Sequence, residues 1–503
     1  MQETISALAH RLPSHPIDLL IFAAFLILTL LVGMSCGKQT KTLQEYALGG
    51  KDFSTPILVV TMVATYSSGS GFIIGVENTY TGALYYVLAS VFGIPLSLWL
   101  SGRLATRMGE FMNHLSVAEA IGSMYGRTAR IITACSSILA KMGYVAVQFK
   151  ALAKMLEVLF QLDGTVATSV AAGIVILYSA SGGVRAVAFT DVFQFLTFGI
   201  AIPVLAIVIW GNMKDPSQAV ATLANSPTFD LTQVVGGHPE FMAALSLFMY
   251  FVVPQIYVPS VFQRIAMAKD PRQAGRMLTY GSGTFLLMKI MIAWIGFLLL
   301  ADKPGMQKEE IIPYLINHHA YVGLKGLLGA GIMALAMSTA DSSLNAISVM
   351  FANDIVKPLS GKEEGSILVA RLFSIVMGLF ALSLALYSKD LLKLLLFSGS
   401  FYMPIFAVPM IMAVLGFRTS KRVALASMAA GFATAMLWSF CFNNKNSIPP
   451  SMLANLLVLL GAHYLLGEPK GWKKVDPNSP LGREQAASRE AWQSRIAAIK
   501  SFR

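Results

Sequence analysis

The sequence predicts an all-α, polytopic membrane protein with about thirteen transmembrane helices and an inverted five-helix repeat at its core. Composition is the first reason: 55% of the 503 residues are hydrophobic and 13% charged, with a mean hydropathy of +0.64, which is too apolar and charge-poor for an ordinary soluble enzyme. Apolar runs long enough to cross about 30 Å of hydrocarbon recur along most of the chain. Two of these runs are interrupted, five spans apart. An odd offset reverses orientation in the membrane, so two inverted halves would each open on a discontinuous helix.

In chain order the runs occupy residues 17–36, 55–80, 82–102, 130–156, 164–181, 190–211, 240–262, 278–300, 325–350, 367–387, 391–416, 421–442 and 449–467. The first is read as a retained span and not a signal peptide, because its apolar core is long and Gly37-Lys38-Gln39-Thr40-Lys41 follows in place of a small-residue cleavage site. The second holds Tyr66-Ser67-Ser68-Gly69-Ser70-Gly71, a polar, helix-breaking run. Hydrocarbon cannot hydrogen-bond loosened backbone, so such a break is buried in protein or lines a watery cavity. Its freed carbonyls suit a small cation, and its half-helix ends suit a solute.

The fourth span, about 46 Å long from Arg130 to Phe160 at 1.5 Å per residue, places Lys141, Tyr144 and Gln148 on one helical face and Lys150 and Lys154 on the opposite one. Lys154 is expected to snorkel outward. Lys141 or Lys150 is expected to meet a carboxylate, with Asp341 one candidate and the solute another; Lys289 in the eighth span raises the same question. The seventh span is broken at Pro254-Gln255-Ile256-Tyr257-Val258-Pro259, where two prolines remove backbone donors. The organisation that results is an extra span and loop at 1–54, a transport core at 55–416 with halves 55–211 and 240–416, two additional spans at 417–467, and a basic tail at 468–503.

Charge sets the orientation. With the N-terminus outside, Lys38, Lys41, Lys51, Arg103, Arg107, Arg127, Arg185, Arg264, Arg276, Lys357 and Arg422 fall in cytoplasmic loops, and the C-terminus is cytoplasmic. The formal charge of +12 therefore reflects topology and contact with the lipid bilayer, not a nucleic-acid partner. Cys36, Cys135 and Cys441 show no metal-ligand spacing, and the seven histidines are scattered without a nucleophile or metal motif. The chain is accordingly not read as an enzyme, and no cofactor is implied.

Four stretches in one order carry a family resemblance: Gly49-Gly50-Lys51; Tyr178-Ser179-Ala180-Ser181-Gly182-Gly183-Val184-Arg185-Ala186 running on to Thr190-Asp191-Val192-Phe193-Gln194; Pro254-Gln255 with Gln263-Arg264 and Ala268-Lys269-Asp270; and Met337-Ser338-Thr339-Ala340-Asp341-Ser342-Ser343, followed by Asp354. The chain resembles the sodium/solute symporter family, the carriers of proline, pantothenate, sialic acid, galactose, glucose and choline. Val184 departs slightly from that family's usual Leu, Met or Phe.

The resemblance implies a leucine-transporter-like core and a sodium site between the second and ninth spans, built from the carbonyls of Thr65, Ser68 and Leu335 and the hydroxyls of Ser338 and Thr339. Sodium is a hard cation that takes oxygen ligands, and a site without a full carboxylate suits an ion that must leave again. By the same resemblance Asp191 lies on the sodium exit route or holds a second sodium; from the sequence alone it would also serve to cap the sixth helix. Asp341 is expected to bond a neighbouring helix. Tyr66, Ser67, Gly71, Phe72, Gln148, Gln255 and Tyr257 are the expected solute lining. Small groups at Ser67, Ser70 and Gly71, which match sugar-contacting positions of galactose carriers, argue against a hexose. The expected function is sodium-coupled symport of a small organic solute, such as an amino acid, vitamin or organic acid, across a bacterial inner membrane. The alternative is a transporter-like sensor signalling through the tail. Sodium is the only metal expected, and the sequence assigns no oligomeric state.

Overall fold

The computed structural model describes residues 15–37, 40–181, 183–213, 247–361, 365–388, 402–441 and 447–469, together with 220–221, 224, 394, 398–399 and 471–472. Helices dominate it. They are α1 (Pro16–Gly37), α2 (Leu43–Leu48), the half-helices α3 (Thr55–Tyr66) and α4 (Gly69–Tyr80), α5 (Leu84–Ala105), α6 (Val117–Tyr125), α7 (Arg127–Phe160), α8 (Gly164–Ser181), α9 (Val184–Asn212), α10 (Pro259–Ala266), α11 (Pro271–Asp302), α12 (Lys308–His319), α13 (Leu324–Ser360), α14 (Ile367–Tyr387), α15 (Met403–Leu415), α16 (Lys421–Cys441) and α17 (Ile448–Leu465). Among the described residues nine helices are long and apolar enough to cross a membrane, or ten when the bent pair α3 and α4 counts as one span. Of the other predicted spans, 164–181 is helix α8; residues 240–246 of the seventh, and the start of 391–416, lie largely outside the described residues. So does the tail from Lys473 onward; just before it, Gly471–Trp472 pairs antiparallel with Phe417–Arg418.

Helix α13 is the axis of the molecule. It packs against α1, α2, α3, α4, α6, α7, α8, α9, α10, α12 and α14. In its most apolar 18-residue window 94% of residues are buried, against 22% for α14 and 28% for α1. Sequence explains the difference: α13 is rich in Gly, Ala and Ser, which let backbones approach closely, whereas α14 carries bulky Leu, Ile and Phe toward lipid.

The signature stretches turn out to be joints between elements. A Cβ at Gly183 would stand 3.1 Å from backbone atoms of Tyr46, so glycine lets α9 start tight against α2. Arg185 reaches the Gly49 carbonyl (3.2 Å) and Asp52 (3.0 Å). Gln263 donates to the Ala47 carbonyl (2.9 Å) and to Asn345 (2.8 Å). Asp354 accepts from Arg130 Nε (2.8 Å) and from Ser116 Oγ (2.5 Å), which binds a π-turn of α13 to α6 and α7.

Helices α16 and α17 clamp the π-turn at Met403–Ala407. Asn455 Nδ2 donates to the carbonyls of Pro404 (2.7 Å) and Ile405 (2.8 Å), pinning the irregular turn to α17. A Cβ on Gly431 would lie 2.0 Å from the Pro404 oxygen. Gly431→Ala is therefore expected to lower stability by about 1–3 kcal/mol, read as a reduced thermal unfolding temperature in detergent; an unchanged temperature would disprove the close approach.

Candidate functional site

The polar run at 66–71 breaks a membrane helix as the sequence predicts. Ser67 and Ser68 are extended (φ −80°, ψ 107° and φ −109°, ψ 149°), and α3 and α4 meet at 58°. Ser68 restarts the helix: its Oγ accepts from Gly71 N (2.9 Å) and its carbonyl from Phe72 N (3.0 Å). A Cβ on Gly69 would stand 2.7 Å from Ala336 Cβ, so glycine is what lets the break touch α13.

Across that contact α13 presents two buried hydroxyls. Ser338 Oγ donates toward the carbonyl oxygens of Ala64 (2.9 Å) and Leu335 (3.1 Å), and Thr339 Oγ1 lies 3.2 Å from the Thr65 oxygen, 3.2 Å from that of Ser67 and 3.1 Å from that of Leu335. The structure thus brings Thr65, Leu335, Ser338 and Thr339 together. The Ser68 carbonyl is committed to helix α4 instead, and the carbonyls of Ala64 and Ser67, one residue earlier than the sequence expectation, take part. These added carbonyls face α13 because α3 ends at Tyr66, and the end of a helix is the feature least fixed by sequence. The result is a cluster of neutral oxygens without a carboxylate, the chemistry that suits a monovalent hard cation.

One turn toward the start of α3 lies a fully buried ionic network. Arg264 Nη2 sits 3.3 Å from Asp191 Oδ2 and 2.6 Å from Ser342 Oγ, and its Nε is 3.0 Å from Thr61 Oγ1; Thr61 also donates to Asp191. Ser342 Oγ in turn is 3.0 Å from Thr65 Oγ1, so the network abuts the oxygen cluster. Two sequence expectations change here. Helix α9 begins at Val184, so Asp191 lies two turns inside it and caps nothing. Arg264, counted as a cytoplasmic-loop charge, is wholly buried on α10. Asp341 Oδ1 accepts from Ser342 N (2.6 Å), and the residue lies within electrostatic reach of Arg264.

A cavity of about 120 Å³ opens beside the break. That is many times the ~10–15 Å³ a single water requires. Tyr66, Ser67, Ser68, Gly71, Phe72 and Gln255 line it, with Lys141, Tyr144, Tyr250, Ser260, Phe285, Lys289 and Tyr402. Two expected lining residues stand back from the wall. Gln148 is fully buried and braces the break, its Nε2 2.9 Å from Ser70 Oγ and its Oε1 3.4 Å from Ser70 N. Tyr257 packs against the rings of Tyr402 (5.9 Å) and Phe406 (6.3 Å). On the opposite face of α7, Lys154 stays part-exposed and pairs with Glu77 (2.5 Å); with Lys150 it lines a separate cavity that also holds Glu77, Glu157 and Asp163. Sequence reasoning missed Arg264, although Gln263-Arg264 stood within a matched stretch, and missed Tyr144, Tyr250 and Tyr402, which carry no polar signature.

Comparison with known proteins agrees with this architecture. The sequence model of the sodium:solute symporter family matches residues 46–431. The sodium/pantothenate symporter of Escherichia coli is 25% identical over 463 residues, 88% of this chain and 95% of that protein. The high-affinity choline transporter 1 of Caenorhabditis elegans is 24% identical over 453 residues, 82% and 76% of the two chains. Among solved structures, a substrate-bound, outward-open Na+-coupled sialic acid symporter superposes with a TM-score of 0.77 at 20% identity, covering 90% of this chain and 98% of that one.

Proposed function

This chain belongs to the sodium:solute symporter family, and from that premise we propose that it imports a small organic solute by sodium-coupled alternating access. The observation that carries the reading is the pair of α13 hydroxyls set against the open carbonyls of the broken helix. Sodium held among the oxygens of Ala64, Thr65, Ser67, Leu335, Ser338 and Thr339 would replace those hydrogen bonds. It would tie α3 to α13 and fix the outward-facing arrangement in which the cavity beside Tyr66 and Gly71 admits solute. Linkage is then reciprocal: if sodium tightens solute binding, solute tightens sodium binding by the same factor. Release of the ion loosens the joint and lets the two halves rock inward.

In this reading the core is an inverted five-helix repeat opened by α3–α4 and by the break before α10, within thirteen crossings. The N-terminus is outside, the C-terminus is in the cytoplasm, and the membrane is a bacterial inner membrane. The Asp191–Arg264–Thr61 network lies beside the site and forms the ion's path toward the cytoplasm. Sodium is the coupling ion, and no other cofactor is part of the proposal.

The test is uptake by the purified full chain in proteoliposomes, with pantothenate, proline, choline and sialic acid as labelled probes. An imposed inward sodium gradient is expected to drive accumulation above the external concentration, and a sodium ionophore to abolish it. Accumulation equal in potassium and sodium would overturn the proposal.

A further inference from the structure

Two lysines reach the central cavity, and nothing in the sodium chemistry uses either. Lys141 on α7 is 6% exposed and Lys289 on α11 is 7% exposed. Lys141 Nζ lies 3.4 Å from Ser260 Oγ and 4.8 Å from the Tyr144 ring centre. Lys289 Nζ lies 5.5 Å from the Phe285 ring centre and 3.9 Å from where a Cβ on Gly71 would stand. Among the described residues no aspartate or glutamate lines this cavity, and neither ammonium has a carboxylate within ion-pair distance. Nearby acids are already engaged, Asp191 by Arg264 and Glu77 by Lys154.

An ammonium removed from water needs a counter-charge or must give up its proton. An aromatic face offsets only a small part of that cost. The backbone adds to the imbalance. Half-helices α4 and α10 both begin at the cavity, with Ser68 and Gly71 at one start and Val258 and Ser260 at the other, so two positive helix ends point the same way as the two lysines.

We infer that the solute is an organic anion whose carboxylate is held between Lys141 and Lys289 while its apolar body lies on the rings of Tyr66, Phe72, Tyr144 and Phe285. The inference rests on the symport reading for the role of the cavity and adds the chemical class of the cargo. It also gives the lysines a purpose in coupling: a bound carboxylate offsets one of the two ammonium charges, so the empty site holds more unbalanced positive charge than the occupied one.

The experiment uses the purified full chain and matched probes: phenylacetate against phenylacetamide, succinate against succinamide, with choline as the cationic control. Binding is read as a rise in unfolding temperature in sodium and in potassium buffers. At least one carboxylate is expected to bind and its amide not to. Lys141→Met and Lys289→Met are each expected to weaken that binding at least tenfold, Lys141→Arg and Lys289→Arg to keep it within a few-fold, and all four variants to retain the shift caused by sodium alone, which shows that they fold. Amides or choline binding as tightly as the acids, no carboxylate binding, or both Met variants binding the acids unchanged would each overturn the inference. The two readings separate cleanly. Sodium-driven uptake of an uncharged solute leaves symport standing and removes the anion, whereas lysine-dependent carboxylate binding that ignores sodium leaves the anion standing and removes symport.

Discussion

Thr339→Val is expected to weaken the sodium dependence of transport by on the order of 10- to 100-fold in the sodium concentration giving half-maximal uptake, and Ser338→Ala to do the same. The figure follows from the chemistry of a neutral oxygen on a cation: an interaction with a charged group is worth about 1.5–3 kcal/mol, and each 1.4 kcal/mol is a factor of about ten in affinity. Valine keeps the shape of threonine, so the loss isolates the hydroxyl that faces the Thr65, Ser67 and Leu335 carbonyls. Thr339→Ser, which restores the hydroxyl, is expected to recover most of the affinity. The measurement is initial uptake rate against sodium concentration at fixed protein per vesicle. A half-maximal concentration within twofold of the parent in both Thr339→Val and Ser338→Ala would refute the site.

The second large effect concerns the buried pair. Arg264→Leu removes the cation facing Asp191 and strands a carboxylate in a site with no exposure to water, which is expected to cost about 3–5 kcal/mol. Asp191→Asn strands the guanidinium and is expected to destabilise in the same direction. Removing both charges in Asp191→Asn/Arg264→Leu leaves no uncompensated ion, so the double variant is expected to be more stable than Arg264→Leu alone. Thermal unfolding of the purified variants in one detergent decides the matter. A double variant no better than Arg264→Leu would mean that the arginine acts through its bonds to Thr61 and Ser342 and not through its charge.

Much of the architecture was legible because one physical demand dominates a membrane chain. Runs of apolar residues had to match helices, and Ser67 to Gly71 had to break one, since backbone in hydrocarbon leaves few choices. What escaped were the polar side chains whose meaning depends on distant partners. Arg264 follows two prolines and reads as an interfacial loop charge; only the fold shows it enclosed against Asp191, 73 residues away in sequence. Gln148 looks like a solute contact by its helical face, yet Ser70 takes both of its polar atoms. The Ala64 and Ser67 carbonyls join Thr65 unannounced, because nothing local distinguishes the last turn of α3 from the first extended residue. Lys154 and Lys150 were separated correctly from Lys141 by helical angle, but Glu77 as the partner of Lys154 lies on another helix and outside any local pattern.

The burial of α13 carries a further consequence. A helix sheathed by neighbours on all sides offers almost no side chain to acyl chains, while α1 and α14 offer most of theirs. Variation in bilayer thickness is then absorbed by tilt of the rim, whose fit to the hydrocarbon costs fractions of a kcal/mol per Å of mismatch. The α13 hydroxyls proposed to hold the ion, carried on the insulated centre, keep their spacing whichever lipids surround the protein.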